Sequence, residues 1–196
     1  MDLLRYRSAP VDERFVSLHA FVDESRRNNT YLLAAVLVDP GDLARTRKAL
    51  RRLLFPGQRE LHFKKEKTDR RKLIVSRLVT IGAAVHIYTC DCSAGEEVAR
   101  QECLIALIND LVDLNTRRLV LDSREERNLH DAQTIRTTLG KRPSYSNITY
   151  EHLESTQDEL LWIPDVVAWC HGAGGDWSRS VRSLVAKETA VDKWSR

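Results

Sequence analysis

The sequence predicts an α/β fold in which a mixed central β-sheet is flanked by helices. Two apolar runs with strand character, residues 16–25 and 30–38, open the chain. The polar connection between them is short enough for a hairpin, so the two strands are expected to pair antiparallel. Strand and helix patterns alternate from there on, which is typical of a sheet covered by helices. The length of 196 residues predicts one domain spanning residues 1–196.

In the first half of the chain, turn-forming residues and the spacing of apolar residues predict the helices and strands. The turn formers at 39–42 end the second strand and start a helix, which the Pro and Gly at 56–57 terminate. Beyond them, the patterns predict a short strand or extended element at 60–63, a basic helix at 68–80, a strand at 83–90 and a long helix at 96–114.

The second half continues the alternation. Residues 118–122 are nearly all apolar, as expected for a central strand. The remaining patterns predict a helix at 129–139, an edge strand at 148–153, a helix at 164–171, a glycine-rich break at 172–175 and a last helix at 177–191. Pro164 is expected at the first position of its helix, where its missing amide hydrogen is tolerated.

Composition narrows the class of protein. Hydrophobic residues make up 42% of the chain and charged residues 30%, which is typical of a soluble globular protein. No apolar stretch approaches the roughly 20 residues that span a bilayer, and the first residues lack the apolar segment of a signal peptide. We therefore expect a cytoplasmic location and no membrane partner.

Four cysteines do not indicate a disulfide framework in a chain of this length. Cys90 and Cys92 are too closely spaced for a usual zinc knuckle, and no second paired motif completes one. Cys103 and Cys170 lie in apolar helical patterns. All four are expected to be buried, unreactive thiols.

Two runs of basic residues stand out against a net charge of only +3. Such runs can hold phosphate groups, although a solvated helix face is an equally ordinary interpretation of either run. The first comprises Arg45, Arg47, Lys48, Arg51 and Arg52, and the second comprises Lys64, Lys65, Lys67, Arg70, Arg71 and Lys72.

The acidic pair at the end of the first strand is the most informative local feature. Alternation along a strand places Phe21 and Asp23 on one face, with Val22 and Glu24 on the other. Asp23 then emerges partly desolvated where the strand ends, so it requires a metal, an arginine or a hydrogen-bonded turn. A simple turn cap is the alternative.

Two later acids occupy comparable places. Asp122 closes its strand, and Asp165 follows Pro164 in the first turn of an apolar helix. Each can be a cap or a helix-dipole partner, but the carboxyl ends of strands are also where α/β folds place ligands. Asp91, which follows the strand at 83–90, competes with Asp122 for the central-strand position.

Glu60 and His62 add a fourth carboxylate and an imidazole. Because they lie two residues apart, they share a face in an extended segment. Glu60 could be a further metal ligand, and His62 could bind phosphate, position water or carry a proton. Ordinary polar residues on an exposed edge are the alternative.

Carboxylates from separate elements suit one kind of chemistry in particular. Mg²⁺ and Mn²⁺ prefer oxygen ligands. Two such ions about 4 Å apart can activate a water and stabilise the leaving oxygen in phosphodiester hydrolysis. The sequence therefore predicts a Mg²⁺ or Mn²⁺ site, with Asp23, Asp122 and Asp165 as ligands and Glu60 as a further ligand or their support.

Residues 15–169 resemble the family known as domain of unknown function 3800. The resemblance is carried by the run Val-Asp-Glu-Ser at 22–25, by Glu-Leu-His at 60–62, and by Asp122 and Asp165. It implies a single ribonuclease-H-like domain and metal-dependent cleavage of nucleic acid. It also favours Asp122 over Asp91 as the ligand on the central strand.

Three functions are compatible with these patterns. The first is a metal-dependent nuclease acting on DNA or RNA, with His62 assisting and the basic runs gripping the backbone without reading bases. The second is a nucleic-acid-binding module of the same fold without catalysis. The third is an interaction protein whose acids are all caps, with an exposed apolar patch around Trp177 and Trp194.

Overall fold

A computed structural model describes residues 17–141 and 147–192, which form one six-stranded sheet. Residue 16 and Trp194, both named above, lie outside the described residues. The sheet has the order β5-β4-β1-β2-β3-β6. Its strands are β1 (Leu18–Arg27), β2 (Thr30–Val38), β3 (Ala84–Asp91), β4 (Thr116–Asp122), β5 (Thr149–Leu153) and β6 (Val185–Ala190).

The sheet is mixed. β1, β2 and β3 pair antiparallel in succession, whereas β4 runs parallel to β1 and β5 runs parallel to β4. β6 pairs parallel with β3 at the opposite edge. The prediction of a mixed sheet flanked by helices is confirmed, and the order and directions of the first five strands are those of a ribonuclease-H-like sheet.

Helices cover both faces of the sheet. Those described are α1 (Leu43–Arg51), α2 (Thr68–Ile81), α3 (Glu96–Asp113), α4 (Asn128–Gly140), α5 (Trp162–Ala173) and α6 (Gly175–Val181). One core cluster joins α1, α2, α5 and α6 to one face, and a second joins α3 and α4 to the other. In the part of the chain that the structure describes, no helix is long and apolar enough to cross a membrane.

The opening hairpin is tighter than the predicted connection. β1 extends to Arg27, which pairs with Thr30, so Asn28 and Asn29 alone form the turn. Asn28 has φ 52°, a left-handed conformation that asparagine tolerates better than most residues. Phe21 belongs to the α5 side of the core and Val22 to the α3 side, as the alternation predicts.

The predicted last helix, 177–191, is wrong over its second half. α6 ends at Val181, a 3₁₀ turn spans Arg182–Leu184, and β6 follows. Val181, Leu184 and Val185 have helical spacing, but only the first two reach the buried core as part of a helical turn. The chain then pairs with the free edge of β3, and those backbone hydrogen bonds override the weak local helical pattern.

Two smaller predictions also need correction. Of the predicted short strand or extended element at 60–63, residues 60–62 form no strand, although His62 is extended, and Phe63 begins a 3₁₀ turn, Phe63–Lys65; the segment is a loop on the α5 side of the sheet. α5 begins at Trp162, which places Pro164 third rather than first in the helix. The proline is tolerated there because the first four amide groups of a helix have no partner within it.

The cysteine prediction is confirmed for the side-chain environment. Cys90, Cys92, Cys103 and Cys170 are all buried and form no disulfide. Burial raises the pKa of the Cys170 thiol to about 12 and that of Cys103 further. Both therefore stay protonated and unreactive at neutral pH.

Candidate active site

Asp23 and Asp122 lie side by side at the carboxyl edge of the sheet. Val22 pairs with Leu121 in the parallel register of β1 and β4, so the next residues on each strand are the two aspartates. Phe21 and Val120, two residues before them, both belong to the core cluster beneath α5. Because side chains alternate, both carboxylates point to the α5 face.

Asp165 comes to this place from α5, which packs across β1 and β2. It is the fourth residue of the helix, one turn from its start. Its Oδ2 accepts a hydrogen bond of 3.3 Å from the backbone amide of Phe63. The contact ties the loop at 60–63 to the helix, so that Glu60 and His62 are held near the three aspartates.

Glu60 and His62 form a pair within that loop. His62 Nε2 lies 3.2 Å from Glu60 Oε1, and the Ser155 hydroxyl donates a hydrogen bond to Glu60 Oε2. Ser155 is itself held by Trp162, whose indole nitrogen donates to the Ser155 carbonyl oxygen at 2.8 Å. Sequence reasoning missed Ser155, because no pattern marks a serine that follows an edge strand as the support of a distant glutamate.

The carboxyl groups of this cluster perturb one another. Burial raises the pKa of Asp23 well above its usual value, and the charges of Asp165 and Asp122 raise it further. Burial also raises the pKa of Asp122 to about 6; Arg124 opposes this increase, whereas Asp165 and Glu60 add to it. These mutual effects show that carboxylates from four separate segments share one partly desolvated site.

Asp165 has the same character. Burial raises its pKa, the Phe63 amide and His62 counteract that effect, and Glu60 adds to it. The pKa values of three neighbouring aspartates are thus raised chiefly by burial, and none of the three forms an ion pair within the part of the chain that the structure describes. Such shifts are common at functional sites, where a ligand provides the missing charge.

The oxygen atoms of this cluster are the ligands that a hard cation prefers, but their arrangement does not match metal coordination. Oxygen ligands from Asp23, Asp122, Asp165 and Glu60 are those that Mg²⁺ or Mn²⁺ prefers. Across residues 17–141 and 147–192, however, no group of three or more His, Cys, Asp or Glu side chains stands so that it could hold a metal ion. Side-chain rotation would have to close the carboxylates around an ion.

Asp91, the competing acid, does not join the cluster. Its Oδ1 accepts from the Ser93 amide at 2.8 Å and its Oδ2 from the Asn29 side chain at 2.7 Å. β3 lies two strands from β1 in the sheet, which is a separation of about 10 Å. Asp91 is thus a cap at its own strand end, and Asp122 is the acid beside Asp23.

The other face of the same strand end carries an ionic network that the sequence did not reveal. Glu24 accepts hydrogen bonds from Tyr31 and Arg100, and Arg124 lies 2.5 Å from its other oxygen. Arg100 also forms a two-bond pair with Asp131, at 2.9 and 2.6 Å. The signal was available in principle: Arg100 and Asp131 interrupt the apolar faces of α3 and α4.

The two basic runs differ in how their charge is used. In the first, Arg47 pairs with Asp158 at 2.6 Å and Arg51 with Glu159 at 2.5 Å, so these residues tie α1 to the segment before α5. In the second, Arg71 Nε donates to the carbonyl of Phe63 at 3.0 Å. Lys64, Lys65, Lys67 and Lys72 remain exposed, and among the described residues none of them forms an ion pair with an acid.

Of the two tryptophans predicted to form an exposed apolar patch, Trp177 is not an exposed side chain, and Trp194 lies outside the described residues. The Trp177 ring is half-buried and meets Phe63 and Trp169 edge to face, at centroid distances of 6.2 and 5.5 Å. Trp169, Trp177 and Phe63 form one aromatic cluster beside Asp165.

No protein-family model matches the chain, and no curated protein matches it in sequence. Among solved structures, a chain in the structure of the PCNA:RNase HII complex from Archaeoglobus fulgidus is similar, with 14% identity and a TM-score of 0.49. The similarity covers 85% of this chain and 76% of that one.

Proposed function

We propose that the protein is a metal-dependent nuclease that hydrolyses phosphodiester bonds in DNA or RNA. The observation that carries the proposal is the convergence of Asp23, Asp122 and Asp165 on the α5 face of the sheet, at the carboxyl ends of β1 and β4. Their raised pKa values indicate a site that lacks compensating positive charge. A divalent cation would supply that charge and would stabilise the charge of a bound phosphodiester.

Asp23, Asp122 and Asp165 would hold Mg²⁺ or Mn²⁺, with Glu60 as a fourth carboxylate or as the support of a bound water. When bound, the ion supplies charge stabilisation at the phosphate and lowers the pKa of a coordinated water. Binding requires ionised carboxylates, so it is expected to pull the pKa values of the three aspartates down.

His62 is suited to a role with protons or phosphate. Its ring is half exposed, and its Nε2 lies 3.2 Å from Glu60 Oε1. Glu60 in turn is oriented by Ser155. A histidine held in this way can position a water or neutralise a phosphate oxygen.

The proposed substrate agrees with the surface beside the acids. The exposed lysines at 64, 65, 67 and 72 belong to the same segment that carries His62 and to the helix that follows it. Lysines of this kind contact phosphates rather than bases, so we propose binding without sequence preference. We further propose that the chain is a member of the domain of unknown function 3800 family, whose motifs converge at this site.

A second candidate has one observation in its favour. Because no three potential ligands stand in metal-binding geometry within the described residues, the fold could bind nucleic acid without cutting it. That module would bind in a salt-sensitive way without metal, and binding would survive the loss of Asp23.

The test is cleavage of labelled single-stranded, duplex and hybrid DNA and RNA with Mg²⁺, Mn²⁺ or EDTA. Wild type is compared with Asp23→Asn, which removes a charge with little change in volume. Asp176→Asn is the matched control, because Asp176 is 94% exposed in α6 and pairs only with Arg179 among the described residues. We expect metal-dependent cutting by wild type and by Asp176→Asn, and at least a hundredfold loss, roughly, in Asp23→Asn.

Two outcomes would count against the nuclease. If no substrate is cut with either ion, the binding module becomes the better account. If Asp23→Asn cuts as fast as wild type, the acidic cluster is not the catalytic site. In the first case, retention of salt-sensitive binding separates a binding module from an interaction protein.

A further inference from the structure

Two arginines converge on one tryptophan beside the acidic cluster. The guanidinium of Arg71 lies 4.5 Å from the centroid of the Trp169 ring, and that of Arg27 lies 5.3 Å from it. Arg27 comes from the end of β1, Arg71 from α2 and Trp169 from α5. Three separate elements therefore bring two positive charges to one aromatic ring.

Both arginines are held in position. Arg71 donates to the backbone carbonyls of Phe63 and Lys64, at 3.0 and 2.6 Å. The stem of Arg27 lies against Gly172 of α5, where an added Cβ would stand 2.9 Å from the Arg27 Cγ. Glycine at 172 thus leaves the space through which Arg27 reaches Trp169.

Neither arginine has an acidic partner among residues 17–141 and 147–192. This distinguishes the pair from Arg47 and Arg51, which are neutralised by Asp158 and Glu159. Stacking on an aromatic ring fixes the plane of a guanidinium and leaves N–H groups free to donate. Planar donors of this kind match the oxygens of a phosphate.

Arg27 and Trp169 lie on the same sides of their elements as the acids. Asp165 and Trp169 are four residues apart on α5, so they share one face of the helix at a rise of about 6 Å. On β1, Arg27 and Asp23 likewise share a face, because they are separated by an even number of residues. The cationic pair therefore lies on the same side of the sheet as the carboxylates, about 6 Å along α5 from Asp165 and about 13 Å along β1 from Asp23.

We propose that Arg27 and Arg71, stacked on Trp169, form a clamp for a backbone phosphate of the substrate adjacent to the one at the acidic cluster. The inference rests on the proposed function and deepens it: the substrate is a polynucleotide with a further phosphate beside the attacked phosphodiester, rather than a single phosphodiester. The clamp would contact the phosphate backbone and not the bases, so it would not discriminate between sequences.

The test measures binding in EDTA, so that it does not depend on cleavage. Fluorescence anisotropy of labelled DNA and RNA oligonucleotides, single-stranded and duplex, is followed from about 50 to 200 mM salt. Arg27→Met is the principal variant, because Arg27 is exposed and the change keeps most of the stem. Arg77→Met, on an exposed position of the same α2 helix that carries Arg71, is the matched control.

We expect Arg27→Met to weaken binding about tenfold and to reduce the affinity lost between the two salt concentrations about threefold, as for one phosphate contact. Arg77→Met should leave both unchanged. Arg71→Lys should weaken binding as well, since an ammonium cannot keep both backbone contacts and the stacking. Circular dichroism confirms that each variant is folded.

A double variant checks the placement of Arg27. Gly172→Ala should weaken binding in the wild-type background, because it displaces the Arg27 stem, and should have no effect in Arg27→Met. The clamp is refuted if wild type does not bind any of the oligonucleotides, or if Arg27→Met binds with wild-type affinity and salt dependence. If wild type cleaves no substrate but still binds oligonucleotides, and Arg27→Met weakens that binding, the nuclease is refuted and the clamp is supported.

Discussion

Asp23 and Glu24 are consecutive on β1, yet their surroundings are opposite. Glu24 faces α3, where Tyr31, Arg100 and Arg124 surround its carboxylate with donors and positive charge. Asp23 faces α5, where its neighbours are Asp165 and Asp122 and where burial and these charges raise its pKa. One strand end therefore carries a balanced ionic network on one face and an unbalanced acidic cluster on the other.

The contrast extends to the partners of each residue. Burial works to raise the pKa of Asp131, but hydrogen bonds from His152 and Arg100 prevail and lower it. The pKa of Asp122 is instead raised to about 6. The α3 face therefore stabilises the fold, whereas the buried acids on the α5 face destabilise it, and a bound cation would offset that cost.

The largest effect is expected from Arg100→Met. Arg100 is the cation shared by Glu24 and Asp131, and all three side chains are at most 6% exposed. Removing it leaves two buried carboxylates without their main partner, so the free energy of unfolding should fall by about 3 to 5 kcal/mol. Urea unfolding followed by circular dichroism measures the change.

Arg45→Met is the control for that experiment. Its pair with Asp42 is on the surface, with the Arg45 side chain 80% exposed. An exposed pair contributes at most about 1 kcal/mol, and the variant should unfold close to wild type. Equal losses in both variants would contradict the view that the α3 network is the stabilising one.

The next effect compares the two neighbours directly by making each neutral. Glu24→Gln should destabilise the protein by about 2 kcal/mol, because it weakens charged hydrogen bonds in a buried network. Asp23→Asn should stabilise it by about 1 kcal/mol in EDTA, because it removes a repelled charge. The same unfolding measurement applies to both, and shifts of the same sign would overturn the contrast.

Mg²⁺ should act on the α5 face alone. At a Mg²⁺ concentration tenfold above its dissociation constant, linkage predicts a stabilisation of about 1.4 kcal/mol, or a rise in Tm of about 3 to 5 °C. Differential scanning calorimetry with Mg²⁺ and with EDTA measures it. Asp23→Asn should lose the rise and Asp176→Asn should keep it; a rise that persists in Asp23→Asn would place the ion elsewhere.

The smallest effect is a dependence on pH. Since the pKa of Asp122 is raised to about 6 in the folded state, its contribution to stability is full below pH 3.8 and is lost as pH rises through 6. Without metal, the free energy of unfolding should therefore decrease by about 1 kcal/mol between pH 4 and pH 6.5. Asp131, with a lowered pKa, acts in the opposite direction below pH 3.8.

Asp122→Asn is the control for the pH series. The difference between its unfolding free energy and that of wild type should grow from pH 4 to pH 6.5, since the variant cannot ionise there. Parallel curves for the two proteins would show that Asp122 titrates near its ordinary value and that the cluster is not strained.

Most of the fold followed from local patterns. The two-residue period at 16–38 identified the hairpin, and it also placed Asp23 and Glu24 on opposite faces. The long helix at 96–114 and the central strand at 118–122 differ from the structure by at most two residues at each end. These elements are predictable because their propensity, period and burial all agree.

β6 could not be predicted in this way, because its conformation depends on a partner about 100 residues away. Its sequence alternates only weakly, and just the parallel pairing with β3 makes it a strand. The same reason hid the Glu24–Arg100–Asp131 network. Its members are separated by 76 and 31 residues, so only the assembled sheet and helices bring them together.

The candidate site could be predicted from the sequence only in part. Asp23 and Asp122 were expected at strand ends, and the parallel register places them side by side. Asp165 and Glu60 depend on how α5 and the loop at 60–63 cross the sheet, which no local pattern specifies. For these residues, the sequence suggested the chemistry, and the structure brings them into electrostatic contact.

The short, charged strands at the two ends of the sheet have a consequence for solubility. β5 and β6 have five and six residues, and each carries acidic or basic side chains such as Glu151 and Lys187. Strands of this kind discourage edge-to-edge pairing between copies of a protein. A chain cut before Val185 would instead expose the backbone of β3, an eight-residue strand with buried Val85 and Ile87. Such a fragment would be prone to intermolecular β-pairing and aggregation.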